Sequence, residues 1–478
     1  MPITRRLQVH APTNPLLVQG LADIRREMHL DDAFPPEVEA EAREAAANTK
    51  LPDLDRTDIP LLTIDPPGSM DLDQAMYLER NDEGFRVYYA IADVGAFVAP
   101  GGAIDREAHR RGETLYGIGH SIPLHPRTLS EGATSLLPGQ LRPALLWTID
   151  LDAAGEGTHV AVERAQVRSR QRCDYTGMQA VIDRGQAEPM WDVLRAVGTL
   201  RRQRAQKLGA ISLPLPEQEA TQVDGHWTLA YRARHPVEDW NEQISLLTGM
   251  AAAHLMVQGG VGILRTLPAP DPEAIRQLRE TAASLQLAWP SARAYPGFID
   301  ALDPADPTQV AMLVACTRVL RGAGYTSFHG ATPAQPMQSA LAAEYTHATA
   351  PLRRLVDRYA GETCVAICAG KPVPDWVLEK LDGLPDAMHG ADRAASQFEH
   401  ATTDLLEAVV LAPRVGESFP AIVTSREDGN DREGTVMIQQ PAVETRIEAD
   451  RELPLGQRIN VKLLEADPAR RRVRFALA

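Results

Sequence analysis

The sequence predicts an α+β protein: a mixed sheet with helices packed on it, a short helical region before it and a small all-β barrel after it. Three observations carry that expectation. Apolar and polar residues alternate from Ile59 to about Ala99, which marks strands. Ala/Leu-rich stretches at helical spacing fill much of the middle of the chain. The last 65 or so residues break into about five short strand-like runs separated by turns, which suits an OB-fold barrel.

In chain order, Leu16, Leu17, Leu21, Ile24 and Met28 recur every three to four residues, and Pro35-Pro36 then opens an acidic run, so residues 1–58 read as a short helical region. PLLTID, AMYLER and FRVYYAIADVGAFV follow as strands, with NDEG as a hairpin turn between the last two. ALLWTIDLDAAGEGTHVAVERAQVRS reads as two more strands turning at Gly155 and Gly157. Helical spacing is expected over 178–209, 241–257, 272–287 and 310–320. After Pro413 come SFPAIVTS, TVMIQQ, ETRIEA, RINVKLLEAD and RRVRFALA.

Composition narrows the function classes. At 478 residues, 44% hydrophobic, 24% charged and 5% aromatic, the chain is an ordinary globular protein with room for two to four domains. Cys173, Cys316, Cys364 and Cys368 form no CxxC pair, which argues against a structural zinc and for a reducing cytoplasm. The N-terminal residues lack a signal-peptide core, and no apolar run spans a bilayer, so neither export nor a membrane partner is expected. A net charge of −15 excludes a uniformly basic nucleic-acid coat and leaves room for a local basic groove.

The densest chemistry is TIDPPGSMDLDQA, residues 63–75. Asp71 and Asp73 project to one side of an extended segment, and the Pro66-Pro67-Gly68 turn can return Asp65 beside them. Three such carboxylates suit magnesium or manganese and water activation for phosphodiester hydrolysis; taken alone, such a run more often marks a solvated acidic loop. An EF-hand is excluded because Met76 stands where its glycine belongs. A second cluster, EYTHATAPLRRLVDR at 344–358, gathers a tyrosine, a histidine and three arginines around Pro351, read as a helix start. There Arg353 and Arg354 offer forked donors to a phosphoryl group, with Thr349 and free helix-start amides beside them; a solvated amphipathic helix is the alternative.

Together, in this order, the segments resemble the ribonuclease II / ribonuclease R family of exoribonucleases, whose RNB catalytic domain is similar to residues 59–411. The family's TID followed by an acidic D-x-D-D run appears as Thr63-Ile64-Asp65 and Asp71-Leu72-Asp73-Gln74, and its YTHFTSPIRR signature as Tyr345 to Arg354. AIADVGAFV, the stretch from IDREAHRRGETLYGIG to SEGATSLLPGQLRP, LGAISLPLPE and NEQISLLTGMAAAHLM are similar and in the same order. Residues 412–478 fall where the family carries an OB-fold RNA-binding barrel.

The resemblance implies a cytoplasmic, monomeric, metal-dependent hydrolase that removes nucleotides from the 3′ end of single-stranded RNA as nucleoside 5′-monophosphates. It implies magnesium, with manganese as the alternative, held by Asp65, Asp71 and Asp73. Asp71, Asp73 and Arg353 would be catalytic, and Tyr116, Tyr175, Glu242, Arg354 and Glu399 would contact RNA. Two departures stand out. Gln74 replaces a second consecutive aspartate and can offer a metal only its amide oxygen, which puts the metal count in question and keeps open a catalytically inactive RNA-binding protein of the same fold. Only 58 residues precede Ile59, whereas two cold-shock barrels need roughly 60 each; a wider channel mouth, able to admit duplex stems, is therefore expected.

Overall fold

The alternation around residues 59–99 builds the centre of the computed structural model, which describes residues 5–7, 14–215, 217–223, 226–427 and 429–478. Six strands lie side by side in the order Gly157–Arg168, Leu141–Asp152, Gly84–Ala92, Gln74–Arg80, Leu62–Asp65 and Gln171–Asp174. All neighbours are antiparallel except the last pair, which is parallel, so the sheet is mixed. The expected NDEG turn is present: the Asn81 side chain accepts the Gly84 N–H at 2.7 Å. Gly84 has φ 155°, and a Cβ there would lie 2.4 Å from the Leu151 carbonyl oxygen, so no other residue fits.

Both faces of the sheet are covered. On one, Tyr89, Trp147 and Leu78 are buried against Trp191 and Leu194 of helix Pro189–Leu208 and Ile244 and Met256 of helix Pro236–Gly259. On the other, Ala90 and Leu146 pack with Val38 of helix Pro36–Asn48, with Leu72 and with Leu352. Leu72 lies between Asp71 and Asp73, and Leu352 precedes Arg353, so one apolar cluster fastens both chemical segments at the same place.

Several expected elements differ in detail. The helix expected over 178–209 is two, Tyr175–Asp183 and Pro189–Leu208, because Gly185 adopts φ 66° and Pro189 restarts the helix. Pro351 does not open a helix. Residues 351–354 form a turn and helix Leu355–Cys368 begins after it, because Asp73 and Asp357 take the Leu352 and Ala350 N–H groups. The N-terminal region holds helices Pro15–Glu27 and Pro36–Asn48 as expected, but strand Arg5–Leu7 also pairs in parallel with Glu217–Val223. That strand and its hairpin partner His226–Arg232 were not foreseen: EQEATQV carries too few apolar residues to show alternation.

The C-terminal strands Ser418–Glu427, Asn430–Ile438, Val443–Glu448, Arg458–Asp467 and Arg472–Leu477 form a closed barrel. A parallel contact between Ile447 and Phe475 closes it. Its core residues Phe419, Val436, Val461 and Phe475 share one apolar cluster with Leu405 and Leu406 of helix Leu384–Leu411 and with Leu17, Leu21 and Ile24 of helix Pro15–Glu27. Full burial of each such leucine contributes about 1.5–3 kcal/mol, so the barrel is fastened to the rest of the chain. No helix among the described residues is long and apolar enough to cross a membrane.

Candidate active site

Strand register assembles the acidic side. Leu62 pairs with Met76 in antiparallel fashion, and continuing that register carries Asp65 to the level of Asp73. Between them the loop is tied down by Ser135, whose hydroxyl donates to the Met70 carbonyl at 2.6 Å and accepts the Leu72 N–H at 3.0 Å. Arg172 adds a bond to the Ser69 carbonyl at 3.0 Å. Asp65 also pairs with Asp174 across the parallel strands, which sets Tyr175, the next residue, beside the carboxylates.

The basic side is a loop whose backbone is held from several directions. Asp73 Oδ1 accepts the Leu352 N–H at 2.8 Å, and Oδ2 lies 3.7 Å from Arg353 Nε. Gln74 donates to the Thr349 carbonyl. Asp357 accepts the Ala350 N–H at 2.7 Å and receives the Arg354 fork at 2.5 and 2.9 Å. The Arg353 carbonyl accepts the Thr114 N–H at 2.9 Å, joining this loop to the strand Leu115–Gly117 that carries Tyr116. Tyr116 is 38% exposed and donates its hydroxyl to Asp71 Oδ2 at 3.3 Å.

Asp65, Asp71, Asp73, Arg353 and Tyr116 therefore meet at one place. Tyr175 and Glu242 stand at its margin: the Tyr175 hydroxyl accepts from Asn241 Nδ2 at 3.0 Å, and Glu242 follows on the same helix. A Cβ at Gly249 of that helix would lie 2.3 Å from the Tyr345 ring, so this glycine lets the helix press on the loop. Glu242 is half-exposed and paired with Arg234 at 2.9 Å. Arg354, by contrast, is turned inward on buried Asp357. Glu399 lies one residue beyond Phe398, which packs against Gly117 behind Tyr116. The Ala350 and Leu352 amides, expected as free donors, are engaged by Asp357 and Asp73. His347 is half-buried with its Nδ1 2.6 Å from the Tyr325 hydroxyl, and desolvation with three nearby arginines holds its imidazole well below its usual range. Ser135, Thr114 and Asp357 were not picked out from the sequence; only the Arg354/Asp357 spacing of three offered a readable signal.

Electrostatics makes the site hungry for a cation. Burial, reinforced by the charge of Asp71, pushes the Asp65 carboxyl up to about 7, against Arg353 and Arg172. Burial also pushes Asp73 well above its usual range, opposed chiefly by Arg353 and the Leu352 N–H. Asp65 Oδ2 is buried with no hydrogen-bond partner. Such hard oxygen donors fit a divalent ion. Among the described residues no three acidic, histidine or cysteine side chains form a ready-made cage.

A mixed sheet carrying facing carboxylate and arginine loops, joined to a five-stranded barrel, defines the class. The RNB domain model matches residues 54–364, and the model of the RNase II-type exonuclease C-terminal S1 domain matches 417–478. The chain belongs to the RNB-domain family. It is 24% identical over 471 residues to Ribonuclease R of Mycoplasma genitalium, covering 88% of this chain and 63% of that protein. It is 36% identical over 137 residues to Exoribonuclease 2 of Vibrio vulnificus, covering 28% of this chain and 21% of that one. The chain thus spans 63% of the length of the first curated relatives it matches. The apo form of Mycoplasma genitalium RNase R superimposes with a TM-score of 0.85 at 20% identity, covering 97% of this chain and 78% of that one. Yeast Ssd1, described as a pseudonuclease, gives 0.71 at 15% identity, covering 91% and 56%.

Proposed function

We propose that this chain is a divalent-metal-dependent 3′-to-5′ exoribonuclease releasing nucleoside 5′-monophosphates by hydrolysis. The observation that carries this reading is the convergence of the partnerless Asp65 oxygen, buried Asp73 and half-exposed Arg353. Asp65, Asp71 and Asp73 would hold the ion, preferably magnesium, which supplies an activated water and neutralises phosphate charge when bound. Arg353 stands at ion-pair rather than hydrogen-bond distance from Asp73, so its fork remains available to charge that develops on the phosphoryl group. Asp73, held by Leu352, fixes the acidic side against that fork.

Tyr116, exposed beside Asp71, would stack on a terminal base, and Tyr175 would contact the neighbouring nucleotide. Glu242 would accept from a ribose 2′-hydroxyl and favour RNA over DNA. Glu399 would act from the helix behind Tyr116, and Arg354 supports the loop rather than gripping phosphate. One copy carries both sides of the site, which supports a working monomer. Residues 1–58, 59–411 and 412–478 are read as the helical preface, catalytic unit and RNA-binding barrel. Four unpaired cysteines support a reducing cytoplasm. Single-stranded 3′ ends are the proposed substrate, with access to duplex stems as a further property; Mycoplasma genitalium RNase R has been solved with single-stranded and with double-stranded RNA.

A second reading, an inactive RNA binder, is favoured by Gln74 and by the fold shared with a pseudonuclease. A 5′-labelled oligoribonucleotide with magnesium separates the two. The active reading expects a ladder shortening from the 3′ end with mononucleotide release, absent for DNA of the same sequence, and lost in Asp73→Asn while RNA binding survives. Full-length RNA bound but uncut by the unaltered protein would establish the second reading.

A further inference from the structure

Two neighbouring side chains hold one loop in opposite senses. Asp73 accepts the Leu352 N–H at 2.8 Å, and Gln74 donates its amide N–H to the Thr349 carbonyl. Between these points Asp357 accepts the Ala350 N–H at 2.7 Å. Arg353 follows directly, with Nε 3.7 Å from Asp73. Thr349 and Leu352 are both buried, where losing a partner costs most because water cannot replace it.

Position 74 must therefore supply a donor. A glutamine amide does so at every pH, whereas an ionised carboxylate only accepts and would face the Thr349 carbonyl with like partial charge. The reach matters as well: Gln74 begins the strand Gln74–Arg80 and bonds to a residue 275 positions away. We propose that Gln74 is a positioning residue whose amide cross-links this strand to the Thr349–Arg353 turn, sets the separation of Arg353 from Asp73, and is not a metal ligand. The proposal rests on the reading above that Asp73 and Arg353 act together in hydrolysis. It also gives the departure from a second aspartate a structural reason, since an aspartate could not make this bond.

The test uses the full chain with Gln74→Met, which keeps length and neutrality but removes the donor, and Gln74→Glu, whose ionised carboxylate accepts but does not donate. Four readouts apply: amide hydrogen exchange over residues 346–355, Mn2+ affinity by electron paramagnetic resonance without RNA, RNA affinity in chelator, and single-turnover cleavage of a short RNA. For Gln74→Met the expected result is exchange faster by about fivefold or more and cleavage slower by roughly tenfold, with both affinities within about twofold of the unaltered protein. For Gln74→Glu at neutral pH, exchange and cleavage should shift in the same direction as for Gln74→Met, because an ionised carboxylate offers the Thr349 carbonyl no donor. Weakening of Mn2+ binding by about tenfold in Gln74→Met would make the amide oxygen a ligand and overturn the proposal. Unchanged exchange and cleavage would overturn it too. If Gln74→Met does not fold, Gln74→Glu decides at a single neutral pH, unchanged exchange over residues 346–355 refuting the cross-link. If the unaltered protein cuts no RNA, the functional reading fails separately, and exchange with Mn2+ affinity still judges Gln74.

Discussion

Proton and metal should compete for Asp65, and the competition has a calculable size. Moving its carboxyl from 3.8 to about 7 corresponds to about 4 kcal/mol as an upper bound. In the metal-free protein the folded state holds this proton more tightly than the unfolded chain. That stability is fully present below about pH 4 and is lost as pH rises through 7. A divalent ion needs the ionised form, which makes up about nine-tenths of Asp65 at pH 8 and about one-tenth at pH 6. Binding should therefore weaken by about tenfold between those pH values, where an ordinary aspartate would show no change. Asp73 is shifted in the same direction by burial, so the fall is at least this steep. The assay is calorimetric titration of Mn2+ or Mg2+ into RNA-free protein at pH 6, 7 and 8, beside thermal melts in chelator. Asp65→Asn should melt higher than the unaltered protein in chelator at pH 8 and lose metal binding. Equal metal affinity at pH 6 and 8, or a lower-melting Asp65→Asn in chelator at pH 8, would refute the assignment of a strained, cation-seeking carboxylate.

Other outcomes follow from the same geometry. Arg353→Ala should lower kcat by about 100-fold with little change in KM; an effect confined to KM in steady-state kinetics would assign the guanidinium to binding instead. Tyr116→Phe should leave RNA affinity in chelator nearly unchanged, while Tyr116→Ala should cost about 1–3 kcal/mol by fluorescence anisotropy; equal loss in both would make the Asp71 bond, not the ring, the important feature. On the barrel, Arg446 and Arg474 are exposed and only loosely paired, at 3.6 and 3.7 Å. Replacing each with Gln should reduce the slope of RNA affinity against salt by about one, whereas Arg471→Gln should not, because Arg471 is committed to Glu27 at 2.6 Å.

How much of this was readable in the chain differs between parts for physical reasons. Five of the six sheet strands and the barrel announce themselves through alternating apolar and polar residues, as in AMYLER and RINVKLLEAD, whereas the short edge strand Gln171–Asp174 does not. The strand Glu217–Val223 does not, because its sequence is polar and its partner Arg5–Leu7 lies more than 200 residues away. Asp65, Asp71, Asp73 and Arg353 stood out as chemistry-bearing residues, and the fold brings them together. The residues that set their spacing are chemically ordinary and act through backbone groups: Ser135 on Met70 and Leu72, Thr114 on Arg353, Gln74 on Thr349. Nothing in a serine of SEGATSLLPG tells that it anchors an acidic loop 63 positions earlier.

Arg354 shows the same limit from the other side. As a sequence letter it equals Arg353, two adjacent guanidiniums suited to phosphate. The turn 351–354 sends one toward Asp73 and the other onto buried Asp357, and a guanidinium already forked onto a buried carboxylate cannot leave without stranding that charge, at about 3–5 kcal/mol. Adjacent identical residues thus acquire opposite duties from the turn between them. The loop's own hydrogen bonds decide which arginine faces Asp73, and this is why a single lost donor such as Gln74 should disturb the site even though every carboxylate and arginine remains.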